Sequence, residues 1–256
     1  MSRSGVTKGA SGFPEAPLPF VVKGSSFIST SIEIIYTGRV TSLTVRARRH
    51  AALGDPVRLA IVDFVRDSDR SVNAIREYLE LSSPLVSHHL DVLEEAGLIV
   101  RSKSLSDGRK RFVSLQHSSL PGDHGSRMPN RVIFVCTENA ARSQLASALW
   151  MDITGLHATS AGTNPAAAVH PLAVEVGRAR GLDLRTARPR RFNTKLTRGS
   201  LVITVCDSAF EEIGPELSDW HWSIPDPSVR ATKQAFTEIA GLIEQRINHV
   251  KGASRS

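Results

Sequence analysis

The chain has 256 residues, which suits two domains of ordinary size, and a hydrophobic fraction of 41% excludes a wholly disordered chain. Two cysteines argue against a secreted disulfide scaffold, and no apolar run is long enough to span a bilayer. We therefore expect a cytoplasmic protein with no membrane partner. The net charge of +7 is spread over the chain, with 16 basic and 12 acidic residues up to residue 115 and 16 and 13 after it. Charge alone thus supports nucleic-acid binding only weakly.

Composition divides the chain into four segments. Residues 1–44 are rich in Ser, Gly, Pro and Thr without a sustained period, which predicts a disordered extension. Residues 45–116 carry helical and strand patterns, and residues 117–130 have the polar, Pro- and Gly-containing composition of a linker. Residues 131–250 alternate apolar strands with amphipathic helices, which predicts a second domain with a parallel sheet.

Three helix starts mark the first domain. Asp55 followed by Pro56 is a typical N-cap and first helical residue, and the same pattern predicts a start at Ser83 and Pro84. Ser71 is expected to cap a helix that runs to about Leu79. Two short strands should follow, at 98–102 and 111–115, around a turn at 106–109. Helix, helix-turn-helix and hairpin together predict an α+β winged helix.

This layout resembles the ArsR-type family of winged-helix repressors, in the stretches DPVRLAIVDFV, LSSPLVSHHLDVLEEAGLI and SDGRKRFVSL. The resemblance implies a homodimer that binds a double-stranded DNA operator, with the third helix in the major groove. Many members of the family sense arsenite or metals through a pair of cysteines. The first cysteine of this chain is Cys136, so we expect no metal site in the domain. Winged helices also serve as protein-interaction modules, and that alternative stays open.

The candidate DNA-binding residues lie on the third helix and on the wing. Polar side chains at the start of the helix are expected to contact bases and phosphates, whereas the basic cluster of the wing suits flanking phosphates. Without DNA binding, His88 would be an ordinary surface histidine and the wing a charged hairpin exposed to solvent. The candidates are Ser82, Ser83, Ser87, His88, Arg101, Lys103, Arg109, Lys110 and Arg111.

The second domain opens with the stretch RVIFVCTENAARSQLASALW, from Arg131 to Trp150. An apolar strand ends at Cys136, a polar loop follows, and a helical pattern begins after Ser143. Backbone N–H groups and the helix dipole make such a loop an anion site. A cysteine at its mouth should have a lowered pKa, and Arg142 can donate two N–H groups to an oxyanion. A buried cysteine with a surface arginine nearby is the alternative interpretation.

Cys136, five intervening residues, Arg142 and Ser143 after a VIFV strand resemble the signature of the low-molecular-weight protein tyrosine phosphatase and arsenate reductase family. The segments SAGTNPAAAVHPLA and WSIPDP extend the resemblance over most of residues 131–250. It implies a phosphatase-like α/β fold with its ligand site at the carboxyl ends of the strands. The chain as a whole is therefore expected to be an α+β winged helix-turn-helix followed by an α/β parallel-sheet domain.

The resemblance also implies roles for residues in the second domain. The Cys136 thiolate attacks phosphorus or arsenic, Arg142 and the loop amides hold the oxyanion, and Ser143 stabilises the thiolate by a hydrogen bond. Asp226 matches the family's general acid, although without the family it would be a turn residue between two prolines. The oxyanion-binding loop comprises Thr137, Glu138, Asn139, Ala140 and Ala141, with Asn139 expected to hold its shape.

Arsenate is the favoured substrate over a phosphoester. Gln144 stands where the tyrosine phosphatases usually have proline, and Ser228 and Val229 replace an aromatic pocket wall. Reduction needs thiol electrons, and Cys206 matches the first of two further cysteines in thioredoxin-coupled relatives. Ile213 stands at the expected position of the second. Cys206 is therefore either a redox partner or a buried strand-end cysteine.

The sequence thus predicts a bifunctional arsenic-response protein, a repressor fused to a thiol-dependent arsenate reductase. It should bind no cofactor and use an external reductant, namely mycothiol, glutathione or the thioredoxin system. Two alternatives remain. The second domain could only sense arsenate or phosphate for the winged helix, or it could be a phosphatase acting on a phosphorylated protein.

Overall fold

The structure is a computed structural model, and it describes residues 43–104, 108–116 and 129–253. The predicted extension at 1–44 and the predicted linker at 117–130 lie mostly outside these residues, as do positions 105–107 of the wing turn. Two hydrophobic clusters organise the described chain, one within residues 52–115 and one within residues 132–250.

The first domain begins with helix α1, residues 43–53, and α2, Pro56–Phe64. Asp55 caps α2 by accepting a hydrogen bond from the backbone N–H of Arg58 (3.0 Å). After the two-residue strand β1, Arg70–Ser71, come α3, Val72–Leu79, and α4, Ser83–Glu95. Strands β2, Ile99–Lys103, and β3, Arg111–Leu115, complete the winged helix predicted from the sequence.

The start of α4 and the strand β1 differ from expectation. The N-cap of α4 is Ser82, and Pro84 is the second helical residue, because any position of the first turn tolerates a residue without N–H. Strand β1 pairs with β3 in an antiparallel sheet of order β1-β3-β2. Strand β1 was not predicted, because two residues are too few to show the alternating pattern of a strand.

The second domain is a four-stranded sheet of order β5-β4-β6-β7 in which all neighbours are parallel. Its strands are β4, Arg131–Cys136; β5, His157–Gly162; β6, Leu201–Thr204; and β7, Trp220–His221. Its helices are α5, Arg142–Thr154; α6, Pro171–Ala179; α7, Asp207–Ile213; and α8, Lys233–Ala253. Because parallel neighbours need crossover connections, the helices alternate with the strands. The predicted α/β fold is confirmed.

The central strand β4 brings the site to the carboxyl edge of this sheet. Its residues from Val132 to Cys136 are at most 2% exposed, as expected of a strand with a neighbour on each side and helices against it. Helix α5 packs on β4, β5 and α8. The chain therefore leaves the core at Cys136 and returns to it at Arg142, and the loop between them lies at the edge where ligands bind in parallel sheets.

Candidate active site

Cys136 ends β4 with its thiol enclosed by the loop that follows. Its Sγ lies 3.0 Å from the hydroxyl of Ser143, and the backbone N–H of Asn139 donates to it over 3.2 Å. The side chain is 2% exposed. Both groups can donate a hydrogen bond to a thiolate at Cys136, which is the role predicted for Ser143.

Asn139 holds the loop in its shape. Its φ of 51° lies in the left-handed region, which asparagine tolerates better than most residues. Its amide donates to the Ser143 hydroxyl (2.8 Å), and its carbonyl oxygen accepts from the backbone N–H of Arg190 (3.0 Å) and from Gln144 (3.2 Å). Gln144 also donates to the backbone carbonyl of Asn139 (3.1 Å). In the sequence, Gln144 was interpreted as an indication of the substrate, but in the structure it stabilises the loop through its bonds to Asn139.

The segment after β5 fastens the other side of the loop. Backbone N–H groups of Thr163, Asn164 and Ala166 donate to the carbonyls of residues 136, 137 and 138 over 2.9–3.1 Å. A Cβ on Gly162 would lie 2.5 Å from the Thr137 carbonyl oxygen, so this close approach requires glycine. This role of Gly162 was not predicted, because no local pattern in the SAG stretch indicates that the loop approaches it closely.

Arg142, the first residue of α5, is nearly buried and points toward the segment after β7. It donates to the backbone carbonyl of Ile224 (3.2 Å) and to the Asp226 carboxylate (2.8 Å). Asp226 is partly exposed and also accepts from the backbone N–H of Ser228 (2.9 Å). The predicted general acid, Asp226, is therefore paired with Arg142, the residue predicted to bind the oxyanion. To donate two N–H groups to an oxyanion, Arg142 must give up or share its bond to Asp226.

The remaining loop residues leave the start of α5 open. Glu138 is exposed, whereas Ala140 and Ala141 are buried. Ala141 is the N-cap and provides no side-chain acceptor, so α5 has no side-chain capping bond. A helix start of this kind has N–H groups available to an anion.

Cys206 lies beside this loop, with its Sγ 3.5 Å from the Thr137 hydroxyl. One interpretation of the sequence placed Cys206 at the end of a buried strand, but β6 ends at Thr204 and Cys206 is the N-cap of α7, accepting from the N–H of Ala209 (3.4 Å). Burial raises the pKa of the Cys206 thiol, and the positive charge of Arg142 partly opposes that shift. Burial therefore keeps Cys206 largely in its thiol form at neutral pH.

A buried histidine that sequence reasoning missed holds α7. The ring of His221 contacts the Asp207 carboxylate (3.1 Å) and the Thr204 hydroxyl (2.9 Å), and it stacks on Phe210 with ring centroids 4.4 Å apart. From the first domain, Phe112 lies 4.7 Å from the same ring. This cluster could not be predicted, because its residues come from distant segments of both domains and no local sequence pattern links them.

In the winged helix, the polar candidates are all exposed at the start of α4: Ser82, Ser83, Ser87 and His88. Lys103, Arg109 and Arg111 are exposed as well. A cleft of about 530 Å³ between α3, α4 and the wing is lined by residues that include Ser83, Ser87, Arg109, Lys110 and Arg111. Members of both predicted groups, the polar residues of α4 and the basic residues of the wing, thus line the same cleft.

Arg101 and Lys110 form ion pairs within the protein. Arg101 forms ion pairs with Asp91 (2.7 Å) and Glu94 (2.5 Å), so it is less available to a phosphate than its sequence position suggested. Lys110 pairs with Glu211 on α7 (3.2 Å) and thereby contacts the second domain.

Among residues 43–104, 108–116 and 129–253, no group of three His, Cys, Asp or Glu side chains has a metal-binding arrangement. In the same part of the chain, no helix combines the length and the apolar character that crossing a membrane requires.

Fold and site together define a winged helix-turn-helix domain joined to a parallel-sheet domain with a phosphatase-type cysteine and arginine loop. Comparison with known proteins agrees with this class. Residues 131–253 match the family described as low molecular weight phosphotyrosine protein phosphatase, and residues 55–100 match the bacterial regulatory protein, arsR family.

The chain is similar to arsenate reductase 2 of Staphylococcus saprophyticus, with 30% identity over 45% of this chain and 92% of that protein. It is 33% identical to a putative arsenate reductase of Halobacterium salinarum over 44% of this chain and 85% of that protein. The transcriptional repressor SmtB of Mycobacterium tuberculosis is 43% identical over 21% of this chain and 39% of the repressor. The chain therefore belongs to the low-molecular-weight phosphatase and arsenate reductase family, with an ArsR-family helix-turn-helix domain ahead of the enzyme domain.

Proposed function

We propose that this protein is a DNA-binding repressor fused to a thiol-dependent arsenate reductase. The observation that carries the reductase proposal is the presence of two thiols at one oxyanion loop, with Cys206 in contact with Thr137, the residue after Cys136. A phosphatase needs a single nucleophile, whereas reduction of arsenate consumes two thiols. The arsenate reductases to which the enzyme domain is similar support the same substrate.

In the proposed reaction, the Cys136 thiolate attacks arsenic and a hydroxyl leaves as water after gaining a proton. Arg142 and the loop amides hold the remaining oxygens, and Ser143 stabilises the thiolate before attack. Asp226 is the candidate proton donor, once Arg142 has turned from the carboxylate to the oxyanion.

A second thiol then attacks the sulfur of the adduct. The two electrons of the sulfur–arsenic bond remain on arsenic, so As(V) becomes As(III) and a disulfide forms. In neutral forms the balance is H₃AsO₄ + 2 RSH → H₃AsO₃ + RSSR + H₂O. The second thiol is either Cys206 or a small external thiol, and an external thiol system restores the reduced enzyme.

We place DNA on the face that carries the start of α4 and the wing, with Ser82, Ser83, Ser87 and His88 at the major groove and Lys103, Arg109 and Arg111 at flanking phosphates. A homodimer on a near-palindromic operator is part of this proposal. Selection of bound sequences from random double-stranded DNA tests it. Replacing Arg109 or Arg111 by alanine should weaken binding to all selected sites and lower the salt slope by about 1.

The reductase proposal is tested by arsenite release from arsenate by the purified full chain. Thioredoxin, glutaredoxin-coupled glutathione and mycothiol systems are compared in parallel, with Cys136→Ser and Cys206→Ser as variants. We expect turnover with one system and none with Cys136→Ser. Retained turnover in Cys206→Ser with a small thiol would assign the second attack to that thiol.

Two results would favour other functions. Absence of arsenite release with every system, together with tight binding of arsenate or phosphate, would indicate an oxyanion sensor for the winged helix. Rapid hydrolysis of an aryl phosphate without any thiol would indicate a phosphatase, a function that the paired Arg142 and Asp226 can also support.

A further inference from the structure

A short turn of the winged helix, residues 67–69, is bonded directly to the enzyme domain. The indole N–H of Trp222 donates to the Asp67 carbonyl (3.0 Å), and the backbone N–H of His221 donates to the Ser68 hydroxyl (2.9 Å). The backbone N–H of Asp69 donates to the His221 carbonyl (2.7 Å). The 67–69 turn thus runs along the segment that follows β7.

Asp69 anchors this contact with a buried charge. Its side chain has no exposed surface, and both carboxylate oxygens accept from Arg246 of α8, at 2.7 and 2.8 Å. One of them also accepts from the backbone N–H of Ser223 (2.7 Å). A buried carboxylate is tolerated only when such partners satisfy it, and each partner is then held in one position.

Ser223 is one residue before Ile224, whose carbonyl accepts from Arg142, and three residues before Asp226, which pairs with Arg142. A continuous path of bonds therefore leads from Asp69 through Ser223 and Ile224 to Arg142. By contrast, Asp69 makes no bond to the Cys136 loop in the part of the chain that the structure describes, so its effect should reach the site through Arg142.

From this path we infer that Asp69, a residue of the DNA-binding domain, is a positioning residue for the oxyanion site, and that oxyanion binding is coupled to the winged helix through the 67–69 turn. The inference rests on the proposed function in one respect, namely that Arg142 binds the oxyanion. Coupling of this kind is reciprocal, since an effect of the turn on anion affinity implies an equal effect of the anion on the turn.

The first test measures anion affinity in the full chain from the protection of Cys136 against iodoacetamide, read on the peptide that contains Cys136. Inorganic phosphate is used with the native cysteines, and arsenate is used in a Cys206→Ser background without external thiol, so that no disulfide forms. Asp69→Asn should raise both dissociation constants about 10-fold, within the range usual for coupled sites. Asp91→Asn is the matched control, because Asp91 is likewise paired with an arginine but is exposed, and its partner Arg101 lies within the winged helix itself. Its dissociation constants should equal those of the wild type.

Further variants separate positioning from a loss of stability. Ser68→Ala removes the acceptor of the His221 N–H and should weaken anion binding a few-fold in a protein that keeps the Asp69 pair. Val132→Ala truncates the core at the opposite end of β4 from Cys136, so it should lower the thermal midpoint without changing anion affinity. If Val132→Ala weakens binding as much as Asp69→Asn does, Asp69 is merely structural and the inference is overturned.

The reciprocal test is hydrogen exchange of the Asp69 backbone N–H with and without saturating phosphate. Exchange should slow severalfold with phosphate, whereas the N–H of Leu79, at the far end of α3, should not change. Unchanged exchange together with an unchanged dissociation constant in Asp69→Asn would overturn the inference. Failure of the proposed reductase function is seen separately, as absence of arsenite release, while the Asp69 effect on phosphate binding persists. Absence of protection by either anion in the wild type would overturn both.

Discussion

The two sides of the active site are built in different ways. The Cys136 loop is held from within its own domain, by Asn139, Gln144, Gly162 and the segments that contact them. The segment that carries Asp226 is held in part from outside, because its neighbour Ser223 is bonded to Asp69 of the winged helix. The hydrogen bonds described at the Cys136 loop therefore come from the enzyme domain, whereas the segment of the acid is bonded to both domains.

This difference shows how a DNA-binding domain can be linked to an enzyme site without contacting the nucleophile. The bonds of the Cys136 loop fix its shape independently of the winged helix. Arg142 joins the two sides, since it begins α5 and donates to Ile224 and Asp226. A signal between the domains would act on anion affinity more than on the reactivity of the thiol.

The largest effect is expected when the Cys136 loop is broken from inside by Gly162→Ala. The added Cβ would overlap the carbonyl oxygen of Thr137, so the loop must shift, and a shift of about 1 Å can reduce kcat/KM by about 100-fold. Arsenite release measures this loss, while hydrogen exchange of the Asp69 amide should stay as in the wild type. Gly252→Ala in α8, where an added Cβ meets no atom within 4 Å, is the matched control. Altered hydrogen exchange of the Asp69 amide in Gly162→Ala would contradict the independence of the two sides of the site.

Ser143→Ala should have an intermediate effect that is also confined to the loop. The variant loses the hydroxyl that lies 3.0 Å from Cys136 Sγ, and a hydrogen bond to a charged group contributes about 1.5–3 kcal/mol. We expect alkylation of Cys136 at neutral pH and arsenate turnover to fall about 10-fold, with anion affinity little changed. Ser147→Ala, one turn along α5, is the control, because its hydroxyl donates only to the Gln144 carbonyl in the bonds described. Equal losses in both variants would count against a role at the thiolate.

A smaller effect should follow the protonation of Cys206. Burial raises its pKa above the usual 9.0, so the folded protein keeps a proton that the unfolded chain releases earlier as pH rises. The contribution to stability is present below pH 9 and is lost as pH rises through the folded pKa, with a slope of at most about 1.4 kcal/mol per pH unit. Urea unfolding of the wild type and of Cys206→Ala between pH 8 and 10 measures it, and the variant should show a flatter decline. Parallel declines would contradict the assignment to Cys206.

The smallest effect is expected at the rim of the domain junction. Lys110 and Glu211 form a partly exposed ion pair, and pairs of this kind contribute about 0.2–1 kcal/mol. A double-mutant cycle with Lys110→Ala and Glu211→Ala should give a coupling energy in that range, decreasing with added salt. The Asp69 and Arg246 pair, which is buried, should show a larger coupling. An equal coupling in the two pairs would mean that burial does not distinguish the two contacts.

Much of each domain could be predicted from local signals. The N-caps at Asp55 and Ser71, the buried strand before Cys136 and the motif at Arg142 all lie within short stretches of sequence, so their structures follow from nearby residues. Predictions were less accurate where a strand was short or apolar residues continued past its end, as at β1 and at Cys206. In both places, the pairing partner and the next helix determine the boundary, and neither is visible in a local pattern.

The contacts between the domains could not be predicted. The sequence around Asp69 and His221 contains no motif that indicates a partner for either residue. Their roles arise because distant segments fold together, and a single sequence contains no local pattern for such pairs. The predicted phosphate contact of Arg101 had the same weakness, since Asp91 and Glu94 become its partners only when α4 and β2 pack.

The junction also constrains the order in which the chain folds during synthesis. Asp69 and Arg246 are separated by 177 positions, so the winged helix leaves the ribosome long before its buried carboxylate can find its partner. Until the second domain is complete, Phe112 lacks the rings of Phe210 and His221, against which it packs in the finished protein. A chain truncated in the second domain would therefore expose Phe112 on the winged helix, and incomplete chains should associate or be degraded.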